Sequence, residues 1–414
     1  MLAPLGFLVR IMNGRQLLST VAVCAVCAVT EAATISGNPA QPPVPGLTRA
    51  PPIMNSAKFA LQTVASGLDH PWGLQFLQDG RMLVTERSGR IRLVAKDGAL
   101  SPPIAGVPNV RTGGQAGLFD IALDPDYERT GLVFFSYFEP RQDGDGLTVA
   151  RAKLAVSGES PRLENLQVIF RAEPSKRGTL NIGGRLLFGR DGNLFISIGD
   201  RFERDQAQQL DSDLGKIVRI RRDGSISNDN PFVGQANAKP EIWSLGNRNP
   251  EGLAINPATG ELWEQEHGAQ GGDEINVIKP GHNYGWPVIT YGLDYSGAKI
   301  GVGTAKAGMD QPVYYWDPSI APSGLAFYTG NLFPAWKGSL FNGALKAQRL
   351  VRLALSGNRV VGEENLLTDL GERIRDVRQG ADGALYVLTD ETRGRILKLV
   401  PAESIANTQP RGQH

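Results

Sequence analysis

Residues 184–195, Gly184-Arg-Leu-Leu-Phe-Gly-Arg-Asp-Gly-Asn-Leu-Phe195, place two short apolar runs on either side of an Asp-Gly pair. Asp-Gly between alternating apolar segments is a strong signal for a β-hairpin, because both residues tolerate the backbone conformation of a tight turn. The stretch therefore predicts two adjacent antiparallel strands. A hairpin of this kind defines a fold only if it recurs along the chain.

A similar unit occurs six times. Each copy has a small or polar residue, an apolar alternation, a turn with Asp, Asn or Gly, and a second apolar run. The copies begin at Gly73, Asp120, Gly184, Gly252, Gly324 and Asp376. Helical periodicity is nearly absent. Repeated sheet units predict an all-β fold, a six-bladed β-propeller, in which radial packing protects the strand edges. An irregular pair of β-sandwiches is the alternative, but it does not account for six similar units.

The amino-acid composition limits the classes of protein to which the chain can belong. The 414 residues are 41% hydrophobic, enough for the core of one large all-β domain. The chain has 43 basic and 42 acidic residues, so its net charge is +1. This balance argues against a broad surface for nucleic acid or another polyanion. We therefore expect no nucleic-acid partner.

The first residues have the pattern of an export signal. A basic segment that ends at Arg15 precedes the apolar run 17–29, and small residues follow at Ala32 and Ala33. The apolar run is short for a membrane span. We predict that residues 1–33 are a signal peptide, that the protein is periplasmic or secreted, and that it has no stable membrane insertion.

The rest of the chain divides by composition. Residues 34–56 are predicted as a Pro-rich linker, residues 57–401 as the propeller and residues 402–414 as a flexible tail. Cys24 and Cys27 both lie inside the signal peptide. Their Cys-x-x-Cys spacing is interpreted as accidental, because a redox motif needs a folded context.

Three neighbouring segments indicate a functional site: Glu241–Leu253, Trp263–Asn276 and Asn283–Pro287. They combine an Arg-Asn pair, a His-Gly turn, two adjacent carboxylates and a Tyr-Gly-Trp corner. Turn glycines beside strand-like runs bring main-chain carbonyls and side chains to one rim of a sheet. The segments predict a site for an anionic cofactor and a hard cation.

Several short sequence segments, in order along the chain, resemble segments of a known protein family. They are His70–Leu74, Val84–Arg87, Gly114–Leu118, Gly183–Leu186, Asp213–Val218, Asn228–Phe232, Gly246–Asn276, Gly343–Lys346 and Glu372–Val377. On these residues the chain resembles the soluble PQQ-dependent sugar dehydrogenases (glucose/sorbosone dehydrogenase-like), in particular the bacterial periplasmic aldose sugar dehydrogenase branch. The family fold is a six-bladed propeller, which agrees with the repeat count.

The resemblance implies PQQ, a planar ortho-quinone with three carboxylates, as cofactor. Guanidinium groups suit carboxylates, and lysine supplies a point charge. A lone Arg-x-Arg would be interpreted as two rim charges, but the accompanying motifs favour cofactor binding. Arg248 lies near the quinone and is also a candidate catalytic residue. The implied cofactor-binding residues are Arg248, Asn249, Ser319, Lys346, Arg373 and Arg375.

The resemblance also implies Ca²⁺, which prefers oxygen ligands that include main-chain carbonyls. Gly268 and Ala269 match the positions that present two carbonyls to the calcium beside PQQ. Glu274 and Tyr284 match positions that hold a second calcium in relatives. The alternatives are a plain tight turn at Gly268 and a solvated rim acid at Glu274.

One position departs from the family pattern. The family uses a histidine, two residues before the Gly-Gly-Arg-Leu phrase, as general base, and here that residue is Asn181. An asparagine amide can orient a hydroxyl but cannot accept its proton. Of the four histidines, His267 is the best substitute base, and Asp200 and Asp317 are weaker candidates. Gln115 matches a position that contacts sugar hydroxyls.

These residues imply a PQQ- and Ca²⁺-dependent oxidoreductase. It would oxidise aldoses or related polyols by hydride transfer from the anomeric carbon to PQQ, and an external electron acceptor would reoxidise the cofactor. The expected oligomeric state is a monomer or a homodimer. Two alternatives stay open: a PQQ- or glycan-binding propeller with impaired catalysis, and a calcium-dependent lactonase-like hydrolase.

Overall fold

A computed structural model describes residues 50–54, 56–156 and 160–403. In this part of the chain nearly all regular structure is strand, arranged in six sheets. The predicted signal peptide and both cysteines lie outside the described residues, as do residues 34–49 and 404–414. None of the described helices is both long and apolar enough to cross a bilayer.

Each sheet is one blade, and blades I to VI follow chain order. Blade I contains β2 (Pro71–Phe76), β3 (Met82–Glu86) and β4 (Arg90–Val94). Blade II contains β5 (Leu118–Leu123), β6 (Leu132–Arg141), β7 (Gly144–Ala155) and β8 (Arg162–Arg171). Blade III contains β9 (Gly183–Phe188), β10 (Leu194–Ile198), β11 (Lys216–Ile220) and β12 (Ile242–Leu245).

The second half of the ring repeats this plan. Blade IV contains β13 (Pro250–Ile255), β14 (Leu262–Glu266), β15 (Asp273–Ile278) and β16 (Tyr314–Trp316). Blade V contains β17 (Pro322–Phe327), β18 (Leu340–Ala344), β19 (Arg349–Ser356) and β20 (Arg359–Leu366). Blade VI contains β21 (Ile374–Gln379), β22 (Leu385–Thr389), β23 (Gly394–Pro401) and β1 (Phe59–Leu68). The described helical turns are α1 (Tyr127–Thr130) and the 3-10 turns Arg204–Gln208, Pro334–Trp336 and Thr368–Leu370.

The first strand of each blade faces the centre of the ring. Strands β2, β5, β9, β13, β17 and β21 each contact the corresponding strand of the next blade, and β21 contacts β2. The six repeat units of the sequence all begin in these strands. The prediction of an all-β, six-bladed propeller is therefore confirmed.

The predicted Asp-Gly turns use one hydrogen-bond pattern in three blades. In blade III the Asp191 carboxylate accepts a bond from the Asn193 amide at 3.0 Å, and Gly192 has a φ of 76°. Asp79 in blade I and Asp382 in blade VI accept the same bond from the residue two positions on. A local aspartate–backbone bond and a glycine at positive φ explain why the same hairpin forms in separate places.

Blade VI closes the ring with strands from both ends of the described chain. Strand β1 pairs antiparallel with β23, from Phe59 opposite Pro401 to Leu68 opposite Gly394. The residues just before β1 also pack on the propeller, since the Ile53 amide donates to the Glu363 carbonyl at 2.7 Å. The last residues of the predicted linker therefore lie against β20 of blade V.

Arg185 joins the blades at the centre of the ring. It is 2% exposed, and its Nη1 lies 3.0 Å from the Asp376 carboxylate and 3.7 Å from that of Asp120. Its Nε donates to the Glu251 carbonyl at 2.7 Å, and its guanidinium lies 4.0 Å from the centre of the Trp72 ring. One side chain of blade III thus contacts blades I, II, IV and VI.

Candidate functional site

A cavity of about 710 Å³ gathers most of the residues that the sequence singled out. Its lining comes from loops and strand ends of different blades, so residues far apart in sequence meet there. The predicted residues that line it are Gln115, Asn181, Arg248, His267, Gly268, Ala269, Ser319, Lys346, Arg373 and Arg375. Asn249, Glu274 and Tyr284 do not line this cavity.

One part of the cavity carries an excess of positive charge. The guanidinium groups of Arg87, Arg373 and Arg375 lie 3.9, 3.5 and 2.6 Å from one carboxylate oxygen of Asp390. Burial would raise the pKa of Asp390, but Arg375 and Arg87 hold it well below its usual range. Lys346 adds a fourth positive charge to the lining. Three guanidinium groups thus share one carboxylate, an arrangement that suits an anionic ligand.

Arg375 is less available to a ligand than the other cations, because it is buried and both of its terminal nitrogens donate to protein groups. It is 5% exposed, and it donates at 2.6 Å to both Glu251 and Asp390 and at 3.3 Å to the Ser323 hydroxyl. Arg373 and Arg87 are half-buried. The side chains more accessible to a ligand are therefore Arg87, Lys346 and Arg373. Sequence reasoning missed Arg87 as a site residue, although the Val84–Arg87 phrase contains it.

The turn after β14 is held by Asp273. One Asp273 oxygen accepts bonds from the Gly268 amide at 2.8 Å and the Ser319 hydroxyl at 2.6 Å, and the other accepts from the amides of Ile320 and Ala321. A Cβ at Gly268 would lie 2.1 Å from the Gly271 carbonyl, so the turn requires glycine. The Ser319 hydroxyl thus stabilises the turn. Asp273, one of the two adjacent carboxylates that the sequence singled out, thus organises this turn.

Arg248 and Asn249 are neighbours in sequence, but only Arg248 lines the cavity. Arg248 lines the cavity, and its Nη1 donates to the carbonyls of His267, at 3.1 Å, and Gly268. Asn249 is fully buried behind the wall, where its side-chain oxygen accepts the Gly183 amide at 3.0 Å. Its amide nitrogen donates to Glu251 at 3.1 Å. Asn249 is therefore placed to position neighbouring groups rather than to line the cavity.

Asn181 lies at the centre of a polar cluster. Its Nδ2 donates to an Asp200 oxygen at 2.9 Å, and its main-chain amide donates to the Gln115 side-chain oxygen at 2.6 Å. The other Asp200 oxygen accepts the Trp286 indole N–H at 2.8 Å. Asn181 has a φ of 47°, a left-handed conformation that asparagine tolerates better than most residues. The cluster can orient a hydroxyl group but presents no neutral imidazole.

Of the three candidate bases, His267 has the most suitable environment. It lines the cavity, and its Nε2 lies 2.7 Å from the Pro322 carbonyl, which can only accept a hydrogen bond. Nε2 therefore carries the proton in the neutral ring, and Nδ1 has the lone pair. Asp200 is buried and also accepts the Phe202 amide. Asp317 does not line the cavity.

A group of buried acids lies beside the turn. Glu264 and Glu266 on β14 pair in register with Asn276 and Glu274 on β15, so all four side chains share one face of blade IV. Burial raises the pKa of all three glutamates, that of Glu266 to about 8. The Asn276 amide donates to Glu264 at 3.2 Å and to Glu274 at 3.4 Å.

A cavity of about 10 Å³ lies next to these acids and is lined by Glu266, Glu274 and Tyr284 among others. The Tyr284 hydroxyl donates to the Val277 carbonyl at 2.6 Å and accepts the Lys279 amide. Among the described residues no three His, Cys, Asp or Glu side chains are arranged as a metal site. A cation here would therefore need main-chain oxygens as well as carboxylates.

Comparisons with known proteins agree with this arrangement. A family model described as Glucose / Sorbosone dehydrogenase matches residues 68–398. Aldose sugar dehydrogenase YliI of Escherichia coli (strain K12) is 44% identical over 349 residues, which are 83% of this chain and 94% of that protein.

Solved structures of aldose sugar dehydrogenases are also similar to this chain. The apo-form crystal structure of the soluble aldose sugar dehydrogenase from Escherichia coli has a TM-score of 0.81 at 44% identity, and the match covers 83% of this chain and 100% of that one. The PQQ-bound form of an aldose sugar dehydrogenase from Streptomyces coelicolor has a TM-score of 0.69 at 30% identity, over 84% of this chain and 100% of that one.

Proposed function

Because the chain belongs to the Glucose / Sorbosone dehydrogenase family, we propose that it is a PQQ- and calcium-dependent dehydrogenase of aldoses or related polyols. The reaction is oxidation at the anomeric carbon, followed by electron transfer to an external acceptor. The observation that carries the proposal is the cavity in which Arg87, Arg373 and Arg375 share the single carboxylate of Asp390, with Lys346 beside them.

The residues present fit PQQ in charge and size. A tricarboxylate needs several cations, and Arg87, Lys346 and Arg373 are the accessible ones. The cavity volume of about 710 Å³ lies within the usual range for small-molecule sites. The likeness to a PQQ-bound aldose sugar dehydrogenase supports the same cofactor.

The main-chain carbonyls of Gly268 and Ala269 are the proposed protein ligands of the calcium beside PQQ. Both residues line the cavity, and Asp273 and Arg248 hold their turn in place. When bound, PQQ would supply the hydride acceptor and calcium would supply a Lewis acid.

The protein's own side chains then have three tasks. The amide nitrogen of Gln115 donates to sugar hydroxyls, while its oxygen holds the Asn181 amide. Asn181 orients the anomeric hydroxyl, and His267 accepts its proton at Nδ1. Glu251 lies 3.8 Å from His267 Nε2.

The test is a titration of the purified protein with PQQ and Ca²⁺, followed by PQQ absorbance, and then addition of aldoses. We expect tight binding and sugar-driven reduction of the bound quinone. Arg87→Gln should weaken PQQ binding by about tenfold or more, the usual range for a hydrogen bond to a charged group. Arg81→Gln is the matched control, since Arg81 pairs with Asp79 outside the cavity.

The outcomes separate the three candidate functions. Failure to bind PQQ in the presence of Ca²⁺ would reject the proposal. Binding without reduction by any aldose would favour a cofactor-binding propeller with impaired catalysis. Hydrolysis of a lactone without PQQ would favour the hydrolase.

We also propose that a second calcium binds beside Glu274 and the main-chain carbonyl of Tyr284. The buried acids Glu264, Glu266 and Glu274 support this, because a nearby cation would stabilise their ionised forms. The test compares thermal unfolding in Ca²⁺ and in chelator. Calcium should raise the Tm of the unsubstituted protein.

Glu274→Gln should lose much of this increase in Tm while unfolding normally in chelator, because glutamine has nearly the shape of a protonated glutamate. Glu261→Gln, in the turn between β13 and β14 of the same blade, should keep the full increase. An equal increase in all three proteins would contradict the assignment of Glu274.

From the sequence of residues 1–33 we propose that the protein is periplasmic or secreted. A fusion of these residues to a reporter that is active only after export would test it. Retention of the reporter inside the cell would contradict the proposal.

A further inference from the structure

A second cavity opens beside the main one. This side chamber has a volume of about 240 Å³, and it shares five lining residues with the main cavity. The shared residues are Asn181, Phe202, Arg248, Ala269 and Tyr295. The remaining walls are Asp200, Arg204, Trp286, Asp294 and Ile300. A ligand in the main cavity can therefore continue past Asn181 into the side chamber.

Two aromatic side chains stand where the cavities meet. Phe202 is 50% exposed and Tyr295 is 65% exposed, although both are large side chains on an otherwise well-packed protein. They come from different blades, because Phe202 follows β10 and Tyr295 follows β15. Exposed aromatic surface at the mouth of a pocket indicates ligand contact more than it indicates packing.

Phe202 is held in a conformation that bulky residues avoid. The φ values of Arg201 and Phe202 are 55° and 61°, and both lie in the left-handed region. The Arg201 guanidinium donates to main-chain carbonyls that include Gly178 at 2.6 Å and Leu180 at 3.2 Å, and the Phe202 amide donates to Asp200 at 2.9 Å. The fold thus maintains backbone strain that exposes an aromatic ring, and such strain concentrates at functional sites.

Tyr295 is positioned by a long excursion between β15 and β16. Leu293 in this excursion exchanges two main-chain hydrogen bonds with Gln270, at 2.9 and 3.0 Å. Gln270 itself lines the main cavity. Long ordered loops of this kind are usually functional. The pairing fixes the Tyr295 segment against the cofactor side of the site.

The polar groups of the side chamber identify the class of ligand. Arg204 Nη1 and Asp294 Oδ2 lie 3.7 Å apart, and both side chains are about half exposed. The pair is electrically balanced and offers both donors and acceptors, so it suits hydroxyl groups better than a phosphate or carboxylate. Aromatic faces carry partial negative charge and attract the C–H face of a sugar ring.

We propose that the side chamber binds the second sugar residue of an oligosaccharide whose reducing-end residue is oxidised in the main cavity. This inference rests on the proposed function, because that function places the reducing end beside Asn181. Phe202 and Tyr295 contact the second ring, and Arg204 and Asp294 bind its hydroxyls.

The experiment has two arms that use maltose, cellobiose and glucose as probes. The first measures equilibrium binding of each sugar to the cofactor-free protein by calorimetry. The second measures kcat/KM of the protein loaded with PQQ and Ca²⁺. We expect Tyr295→Ala to lower disaccharide affinity and kcat/KM by about fivefold to tenfold, a loss typical of one aromatic contact. Glucose should be affected less.

Two further variants serve as controls. Phe202→Asn removes the ring but suits the left-handed backbone, so it should reproduce the loss without unfolding the loop. Tyr295→Phe keeps the ring and should restore disaccharide preference. Leu166→Ala removes an exposed apolar side chain of β8, away from both cavities, and should change neither sugar.

The arms distinguish failure of this inference from failure of the proposed function. The protein could fail to bind PQQ and still bind disaccharides in a way that Tyr295→Ala weakens. That result would support the side chamber as a sugar subsite and would reject the proposed dehydrogenase function. An unchanged ratio of disaccharide to glucose kcat/KM in both ring-removing variants would reject the chamber as a sugar subsite. A change confined to the kinetics of the electron acceptor would also reject it.

Discussion

Replacing Asn181 with histidine is expected to raise aldose turnover by up to about 10²-fold, the lower end of the contribution of a general base, because His267 already serves as the base in the unsubstituted protein. Asn Nδ2 and His Nδ1 both lie one bond beyond Cγ. The Nδ1–H of the new histidine would therefore donate to the same Asp200 oxygen that now accepts Asn181 Nδ2 at 2.9 Å. Its Nε2 would then be free as the proton acceptor.

The backbone and the surroundings also accept a histidine. Asn181 has a φ of 47°, and histidine, like asparagine, is enriched among non-glycine residues in this region. Asp200 is already held from the other side by the Trp286 indole at 2.8 Å. The protein thus retains the carboxylate that would orient an imidazole while it lacks the imidazole itself.

Steady-state turnover and single-turnover reduction of bound PQQ measure the gain. The PQQ affinity should stay unchanged, because Asn181 is not one of the proposed cofactor-binding cations. Asp200→Asn in the Asn181→His background should remove most of the gain, because an amide does not hold the required tautomer. Turnover equal to that of the unsubstituted protein, with PQQ bound, would show that position 181 is not where this chain needs a base.

Replacing Arg185 with methionine is expected to destabilise the fold by about 3–5 kcal/mol, the cost of breaking a buried ion pair from one side. Burial alone disfavours the charged guanidinium and lowers the pKa of Arg185, while Asp376 and Asp120 oppose this. Without Arg185 both carboxylates stay buried. Arg378 still contacts Asp376 at 2.8 Å and Asp120 at 2.9 Å, so the loss should lie toward the lower end.

Urea unfolding at pH 7 measures this loss. Arg190→Met, an exposed arginine in the hairpin of the same blade, should change the free energy of unfolding by about 0.5 kcal/mol or less. Adding Asp376→Asn to Arg185→Met should recover part of the stability, because Arg378 then faces one buried carboxylate instead of two. Equal stabilities for Arg185→Met and Arg190→Met would contradict a central role of Arg185.

The fold could be predicted from the sequence because the hairpin pattern that indicates it is local and repeated. Each Asp-Gly turn contains its own hydrogen bond, as at Asp191 and Asn193, so the hairpin is encoded within a few residues. The number of such units then predicts the number of blades. No information about distant contacts is required for this inference.

The functional site could be predicted from the sequence only in part, because its charged side chains are paired with residues from other blades. Arg375 reads as a ligand-binding cation in sequence, but Glu251 and Asp390 occupy it after folding. Such pairings are invisible to local patterns. The left-handed φ of Phe202 is hidden for the same reason, since the bonds that maintain it come from the three-dimensional fold.

The closure of blade VI sets the order in which the molecule can be completed. Among the strands of the described residues, β1 is synthesised first and β23 last, yet each is the other's partner. At roughly 5–20 residues per second, β1 waits on the order of tens of seconds for that partner. Contacts between segments so distant in sequence also slow folding. The chain therefore remains an open and incomplete ring, with an unpaired strand edge, until its last strand is available to pair with β1.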